Sequence, residues 1–467
     1  MAFDRESTIV GRTTRQGGLR NARRGVPDAR DAAISAIAAH CDRFPDLVPE
    51  PPETDGLDPR DAALAHAIHD ATVRRWLTLV YLIRPHLRMP FESLEPGMQA
   101  VLLCGATQLV FLDRIPPHAA VSESVTWAKR RIRHRAGGMV NAVLRRVHES
   151  LGEIVPEWDD VPSQLLLSDG RGRELVGIEL PADPVDRMAV QVSCPTGLLR
   201  RWVDARGLES AMDTALYALA TPPIVLNVEF AQSPVPDTQA HSLPGHAVFT
   251  GSMADLRHLL ADRNDIWVQD AASGSAIARA ASELRPKLIV DLCAGRGTKT
   301  RQLAHAFPDA KIIATDVDQT RYGVLSGVFA GHDRVTVLPA LETIPAAAGS
   351  ADLVLLDVPC SNSGVLARRP EAKYRFDKVQ LKRLTGIQHQ IIADAMGALG
   401  PAGSILYSTC SLEPEEDAGP VAYACESFGL SVSWTDLLWP QGSPRLQTEP
   451  DSALSYHDGA FSALLTR

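Results

Sequence analysis

No two of the seven cysteines stand in a Cys-x-x-Cys arrangement, and no His/Cys set has zinc-finger spacing. An odd number without such spacing argues against a disulfide framework and a structural zinc, and no metal is expected. No run of about twenty apolar residues is present to span a bilayer, and the polar, Arg-rich start lacks the apolar core of a secretory signal. These absences point to a reducing cytoplasm and away from a membrane. Internal repeats and low-complexity tracts are lacking too. So is an excess of positive charge: the formal net charge of -9 argues against a protein coated in nucleic acid, although phosphate binding needs a basic face rather than a basic average.

What is present is ordinary globular material, 467 residues with 45% hydrophobic and 22% charged, enough for two or three domains with real cores. Basic residues cluster at Arg12, Arg15, Arg20, Arg23 and Arg24, and again at Lys129, Arg130, Arg131, Arg133 and Arg135. Either cluster offers a surface for RNA; a solvated arm and a solvated helix face are the plainer reading.

Residues 1–27 read as a disordered basic arm. Over 28–150 apolar residues recur at three- and four-residue spacing in Ala32–Cys41, Ala62–Leu82, Met98–Phe111 and Met139–Val147, which predicts an all-helical domain of five to seven helices. Ile115-Pro116-Pro117 punctuates it, because a residue before proline is pushed out of helical geometry. Residues 151–190, acidic and Gly/Pro-punctuated, read as a linker. Residues 191–264 form a small α+β segment, with a helix over Leu198–Leu219 and a strand over Ile224–Phe230. From 265 to 467 the texture is α/β. Strand-like runs at Leu288–Leu292, Lys311–Thr315, Arg334–Leu338, Leu353–Leu356 and Ser404–Tyr407 alternate with helical segments such as Thr300–Ala306 and Gln380–Leu399. That alternation predicts a Rossmann-like, mostly parallel sheet with ligands at the carboxyl ends of its strands.

Four motifs fall at those ends. Cys293-Ala294-Gly295-Arg296-Gly297-Thr298-Lys299 follows the first strand as a glycine turn before a helix, where a cofactor can approach the backbone. It lacks the four residues that separate the glycines of a Walker loop. Asp316 closes the second strand about twenty residues on, where a carboxylate can accept from both ribose hydroxyls; capping the next helix is its plain alternative, a role open to Asp318 as well. Turn and aspartate together indicate an adenosine-containing cofactor without separating a dinucleotide from S-adenosyl-L-methionine. Asp357-Val358-Pro359-Cys360 and Ser408-Thr409-Cys410-Ser411 each put a cysteine at a strand exit. One such cysteine is usually inert core; two facing one predicted cleft are hard to read as packing.

Carbon 5 of cytosine is too poor a nucleophile to take a methyl group from a sulfonium. A thiolate added at carbon 6 turns carbon 5 into an enamine-like carbanion equivalent. A carboxyl at ring nitrogen 3 stabilises the charge that develops, a base must then take the carbon 5 proton, and the target base must leave its stack.

The motifs resemble the RNA cytosine-5 methyltransferases, and in detail the bacterial small-subunit (16S) ribosomal RNA methyltransferase B family, in which a NusB-like helical domain precedes a class I methyltransferase domain. Arg114–Val121 and Val140–Arg145 are similar to that helical domain, Trp267–Ala271 to the start of the catalytic domain, and Tyr456–Phe461 to its terminal strand. The resemblance implies Cys410 as nucleophile, Cys360 as helper in product release, Cys293 through Lys299 with Asp316 as cofactor residues, and Asp357 between cofactor and base. It implies an RNA substrate, 16S rRNA, and leaves the oligomeric state open, a monomer being compatible. The sequence departs from the family at the turn, where Arg296 replaces a proline and Thr298 a glycine. It also has no acidic residue over 334–341, so that Glu342 would serve the adenine, and no arginine beside Asn227. A non-catalytic RNA-binding or assembly factor with a degenerate cofactor site is the alternative. A DNA cytosine-5 enzyme, whose nucleophile is the Pro-Cys cysteine, would not need Cys410.

Overall fold

A computed structural model describes residues 28–447 and 449–467; the arm expected over 1–27 lies outside the described residues. The helical domain is built from Ala29–Cys41, Pro59–Arg74, Trp76–Ile83, Pro96–Phe111, Pro117–Arg131 and Ala136–Glu149. Three of these begin on proline, whose missing N–H costs nothing in a first turn. Pro96–Phe111 is the central helix, buried from Ala100 to Val110 and surrounded by the others. The apolar run over 62–82 is broken at Arg75, whose buried guanidinium donates to the Gln191 carbonyl at 2.6 Å and lies 4.7 Å from the Phe111 ring centroid.

The stretch expected as a linker holds structure of its own. Leu151–Val155, Gln164–Leu166 and Gly172–Leu175 form an antiparallel sheet, and Pro184–Gln191 is a helix. Strands this short show no period in sequence. They fold because Leu165, Leu175, Ile178 and Leu180 complete the core of the helical domain. The expected helix over 198–219 is two, Thr196–Arg206 and Leu208–Tyr217, parted at Gly207, where φ is 82°. A four-stranded sheet follows, in the order Thr238–Ala240, His246–Phe249, Ile224–Asn227, Trp267–Val268.

The α/β domain has seven strands: β1 (Leu288–Asp291), β2 (Lys311–Ala314), β3 (Val335–Val337), β4 (Ala351–Asp357), β5 (Leu399–Thr409), β6 (Ser431–Leu438) and β7 (Ala460–Thr466). Their order across the sheet is β3-β2-β1-β4-β5-β7-β6. β1 to β5 are parallel, and β7 runs antiparallel between β5 and β6. Successive side chains of a strand leave opposite faces. Ile289, Leu353, Leu355 and Leu406 join the helices Ala271–Glu283 and Thr298–Ala306 in one core. Val290, Val354, Leu356, Ile405 and Tyr407 join Lys378–Ala398 and Ala418–Phe428 in the other. The register sets Leu355 opposite Asp291 and Asp357 opposite Ser408, so the carboxyl ends of β1, β4 and β5 share one edge. No helix among the described residues is long and apolar enough to cross a membrane.

The helical domain is joined to this one by buried polar bonds rather than by apolar contact alone. The Arg74 guanidinium donates to the carbonyls of Ala218 and Ala367, each at 2.9 Å. The fully buried Lys373 amine donates to those of Arg74 and Val192 at 2.8 and 2.9 Å; burial, then Arg74 and Arg75, push its pKa well below the ordinary lysine value. The Tyr374 hydroxyl donates to the Val73 carbonyl at 2.7 Å and meets the Ser193 hydroxyl at 2.9 Å. Removing that hydroxyl strands a buried acceptor. Tyr374→Phe is therefore expected to lower stability by about 1–3 kcal/mol in urea denaturation, and an unchanged midpoint would show that this contact does not hold the junction.

Candidate active site

The turn after β1 is shaped by two left-handed glycines. Gly295 (φ 58°) has nothing within 4 Å of where a Cβ would stand, leaving room above the backbone. At Gly297 (φ 93°) a Cβ would meet Phe329 at 2.7 Å, so this position must be glycine for both conformation and space. The Gly295 N–H donates to Asp316 Oδ2 at 2.9 Å, and the other carboxylate oxygen accepts from the Asp318 N–H at 2.8 Å. Asp316 thus ties its own strand exit to the glycine turn, while Asp318 caps the helix Gln319–Val328. Arg296 and Thr298 are exposed, so neither departure from the usual turn fills the space above Gly295. Two apolar side chains stand almost bare at the same edge, Val317 (80% exposed) after β2 and Leu341 (92% exposed) after β3.

Lys299, in the first turn of Thr298–Ala306, reaches across to β4 and β5. Its ammonium pairs with Asp357 Oδ1 and lies 3.2 Å from Ser408 Oγ, which itself donates to Asp357 Oδ1 at 2.9 Å. Asp357 is held from two sides yet keeps a side chain 37% exposed. Beyond it, the Sγ atoms of Cys360 and Cys410 lie 3.2 Å apart, and Asn362 Oδ1 lies 3.4 Å from Cys410 Sγ. The loops touch backbone to backbone. The Gly364 N–H donates to the Cys410 carbonyl at 2.9 Å, and a Cβ on Gly364 would stand 2.8 Å from that oxygen.

Burial and charge tune the groups here. The Cys360 thiol is pushed well up by its bond to Cys410, by burial, and by the charges of Cys410 and Glu416. Cys293 is pushed up by burial, with Asp291 and Asp357 adding to it. Asp291, fully buried at the end of β1, is raised to about 7 by burial against the counter-effect of the Thr300 hydroxyl, which donates to its Oδ2 at 2.7 Å. Burial raises Asp417 to about 8, although the Thr409 hydroxyl donates to it at 2.7 Å.

The structure therefore brings Cys410, Cys360, Asp357 and Lys299 together, with the Cys293–Thr298 turn and Asp316 beside them. Sequence reasoning gave no role to Asp291, Ser408, Asn362 or Glu416. All four stand inside or beside the quoted motifs, but only their hydrogen bonds single them out. The two family-like segments at 267–271 and 456–461 also meet. Asp458 accepts from the hydroxyls of Tyr217 and Tyr456 (the latter at 2.7 Å) and from Arg368 Nε at 2.8 Å, and Arg368 donates to Asp270 at 3.1 Å. Asn227 is fully buried and donates to Gln269 at 3.0 Å, a packing role.

Strand order, glycine turn and acidic second-strand exit together define a class I methyltransferase domain behind a helical module. Residues 281–431 match the family described as 16S rRNA methyltransferase RsmB/F, and residues 28–149 match the NusB family. The chain is thus similar to the RsmB/F methyltransferases over most of its α/β domain and to the NusB family over its helical one. The ribosomal RNA small subunit methyltransferase B of Sodalis glossinidius (strain morsitans) is 28% identical over 383 residues, 80% of this chain and 83% of that protein. The probable ribosomal RNA small subunit methyltransferase B of Bacillus subtilis (strain 168) is 27% identical over 365 residues, 74% and 76% of the two chains. The solved structure of PH0851 shares the fold, with a TM-score of 0.69 at 18% identity over 95% of this chain and 100% of that one.

The raised Asp291 makes a prediction about pH. The folded chain keeps a proton up to about 7 that the unfolded chain releases near 3.8, so this group's stabilisation is full below the lower value and is lost as pH rises through the higher one. Asp291→Asn cannot ionise and retains an acceptor for Thr300. It should be the more stable chain near pH 8, by on the order of a few kcal/mol, and no more stable near pH 4. Denaturant titrations at both values check this; equal stability near pH 8 would contradict it.

Proposed function

We propose that this chain methylates carbon 5 of a cytosine in RNA, taking the methyl group from S-adenosyl-L-methionine, with Cys410 as nucleophile. The observation that carries the reading is the 3.2 Å approach of Cys360 and Cys410 at the strand edge where Lys299 and Ser408 hold Asp357. The names of the relatives support RNA, specifically 16S rRNA, as the substrate.

The residues at the turn fit the cofactor. Gly295 leaves space over its backbone, and Val317 and Leu341 offer apolar faces to a purine. The resemblance assigns the ribose hydroxyls to Asp316, a buried carboxylate whose oxygens accept from the Gly295 and Asp318 N–H groups and can each accept once more. Cys293, Ala294, Arg296, Gly297, Thr298 and Lys299 complete the surround; bound there, the cofactor supplies an electrophilic methyl group. The Cys410 thiolate forms the bond to carbon 6, and electrons pushed into the ring make carbon 5 nucleophilic. Asp357 faces ring nitrogen 3, and the proton shared by the Lys299–Asp357 pair passes to that nitrogen as negative charge gathers there and returns when Cys410 leaves. After methylation the carbon 5 proton leaves to a base, the carbon 6–sulfur bond breaks, and Cys410 regains its electron pair, with Cys360 assisting this release. A cytosine must be unstacked to enter between these loops.

Two experiments test the assignment. Cys410→Ala is expected to abolish both turnover and covalent adduct, whereas Cys360→Ala accumulates an RNA–protein adduct that survives denaturing electrophoresis; the opposite pattern would exchange the two roles. In the basic run, Arg130 already pairs with Asp28, Arg131 with Asp31 and Arg133 with Glu95, which leaves the exposed Lys129 and Arg135 to face phosphate. Reversing those two charges should weaken RNA binding and flatten the plot of log affinity against log salt by about 1–2. An unchanged slope would return the run to a solvated face.

A further inference from the structure

Glu416 is fully buried in the segment between β5 and the helix Ala418–Phe428, and its donors are all neutral. Its Oε1 accepts from the Ser361 N–H at 2.9 Å and from Gln388 Nε2 at 3.1 Å; its Oε2 accepts from the hydroxyls of Ser361 and Ser411 at 2.5 and 2.7 Å. Ser361 follows Cys360 in the chain and Ser411 follows Cys410. Gln388 also donates to the Pro359 carbonyl at 3.0 Å, just before Cys360. One carboxylate, with no cationic partner among the described residues, thus grips both cysteine loops from behind. A buried anion met by neutral dipoles is costly to keep, and a glutamine of the same length would hold the loops with hydrogen bonds alone.

We propose that Glu416 is a positioning residue whose buried charge assigns the proton of the thiol pair to Cys360, so that Cys360 is the hydrogen-bond donor and Cys410 the electron-rich sulfur. This deepens the cysteine-nucleophile reading and rests on it for its purpose, though not for its test. Like charges close together in a low-dielectric site disfavour each other, and Glu416 takes both the N–H and the hydroxyl of Ser361, next to Cys360, but only the hydroxyl of Ser411, next to Cys410. The groups that face Cys360 are Cys410, Glu416 and Tyr407; the first two raise its thiol, and Asn362 lowers it through a backbone bond.

The test uses the full chain without RNA or cofactor, with iodoacetamide as probe and peptide mass spectrometry to follow each cysteine across pH. In the unmodified chain the alkylation midpoint of Cys360 should lie well above that of an ordinary thiol; an ordinary midpoint overturns the proposal even if no variant folds. In Glu416→Gln, which keeps size and an acceptor but loses the charge, the Cys360 midpoint should fall by about one unit. The ratio of Cys410 to Cys360 labelling at neutral pH should then drop about tenfold. Glu416→Asp keeps the charge with poorer geometry and should stay within about twofold of the unmodified ratio. A merely structural role predicts the reverse order, with the aspartate variant the more damaged, and that result, or equal loss in both, would overturn the proposal. Because no methyl transfer is measured, failure here is separable from failure of the cysteine-nucleophile reading, which the covalent adduct tests.

Discussion

The parallel pairing of β4 with β5 in a single register, Asp357 opposite Ser408, is the constraint from which the rest of the site follows. Each strand releases its chain at the same height, so the two loops that leave them have to pass one another. They can do so only because Gly364 has no side chain to strike the Cys410 carbonyl. Two sulfurs fifty residues apart in sequence therefore arrive in contact. A shift of β5 by one residue would turn Ser408 and the whole alternate set to the opposite face.

Around that contact the chain concentrates buried polar groups at a density a plain core would not tolerate. Asp291, Glu413, Glu416 and Asp417 are all buried, and each answers a hydroxyl, amide, indole or guanidinium from a different segment. Glu413 brings in Arg201 and Trp202 of Thr196–Arg206. Such networks restrain geometry when satisfied and are expensive when half-made. The helical domain is tied in by the same means: Arg74, Lys373 and Tyr374 spend their donors on backbone carbonyls of the opposing segments. The strap carrying Lys373 and Tyr374 continues from Cys360, so the domain junction and the cysteine loop are parts of one stretch of chain.

Much of this was legible beforehand. The strand runs, the glycine turn and the two cysteine motifs announce themselves because an apolar run, a left-handed turn and a cysteine at a strand exit are each visible in neighbouring residues. The central α/β strands lie within a few residues of where they were expected, β5 being longer because its first residues, Leu399-Gly400-Pro401-Ala402-Gly403, carry no apolar period. The sheet inside residues 151–190 was not legible, since strands of three to five residues are too short to show a pattern and owe their existence to a core supplied by another part of the chain.

By itself the sequence determined the kinds and order of the elements in the helical and α/β domains and which side chains stand at the strand exits, because backbone preference, hydrophobic periodicity and residue identity are properties of neighbouring residues. Tertiary structure alone decided which exits share an edge and which carboxylates are buried. It also decided that Ser408 and Lys299 orient Asp357, and that Glu416 stands behind both cysteines. Those facts depend on strand register and on distance through space, and a side chain's electrostatic surroundings are made by residues far from it along the chain.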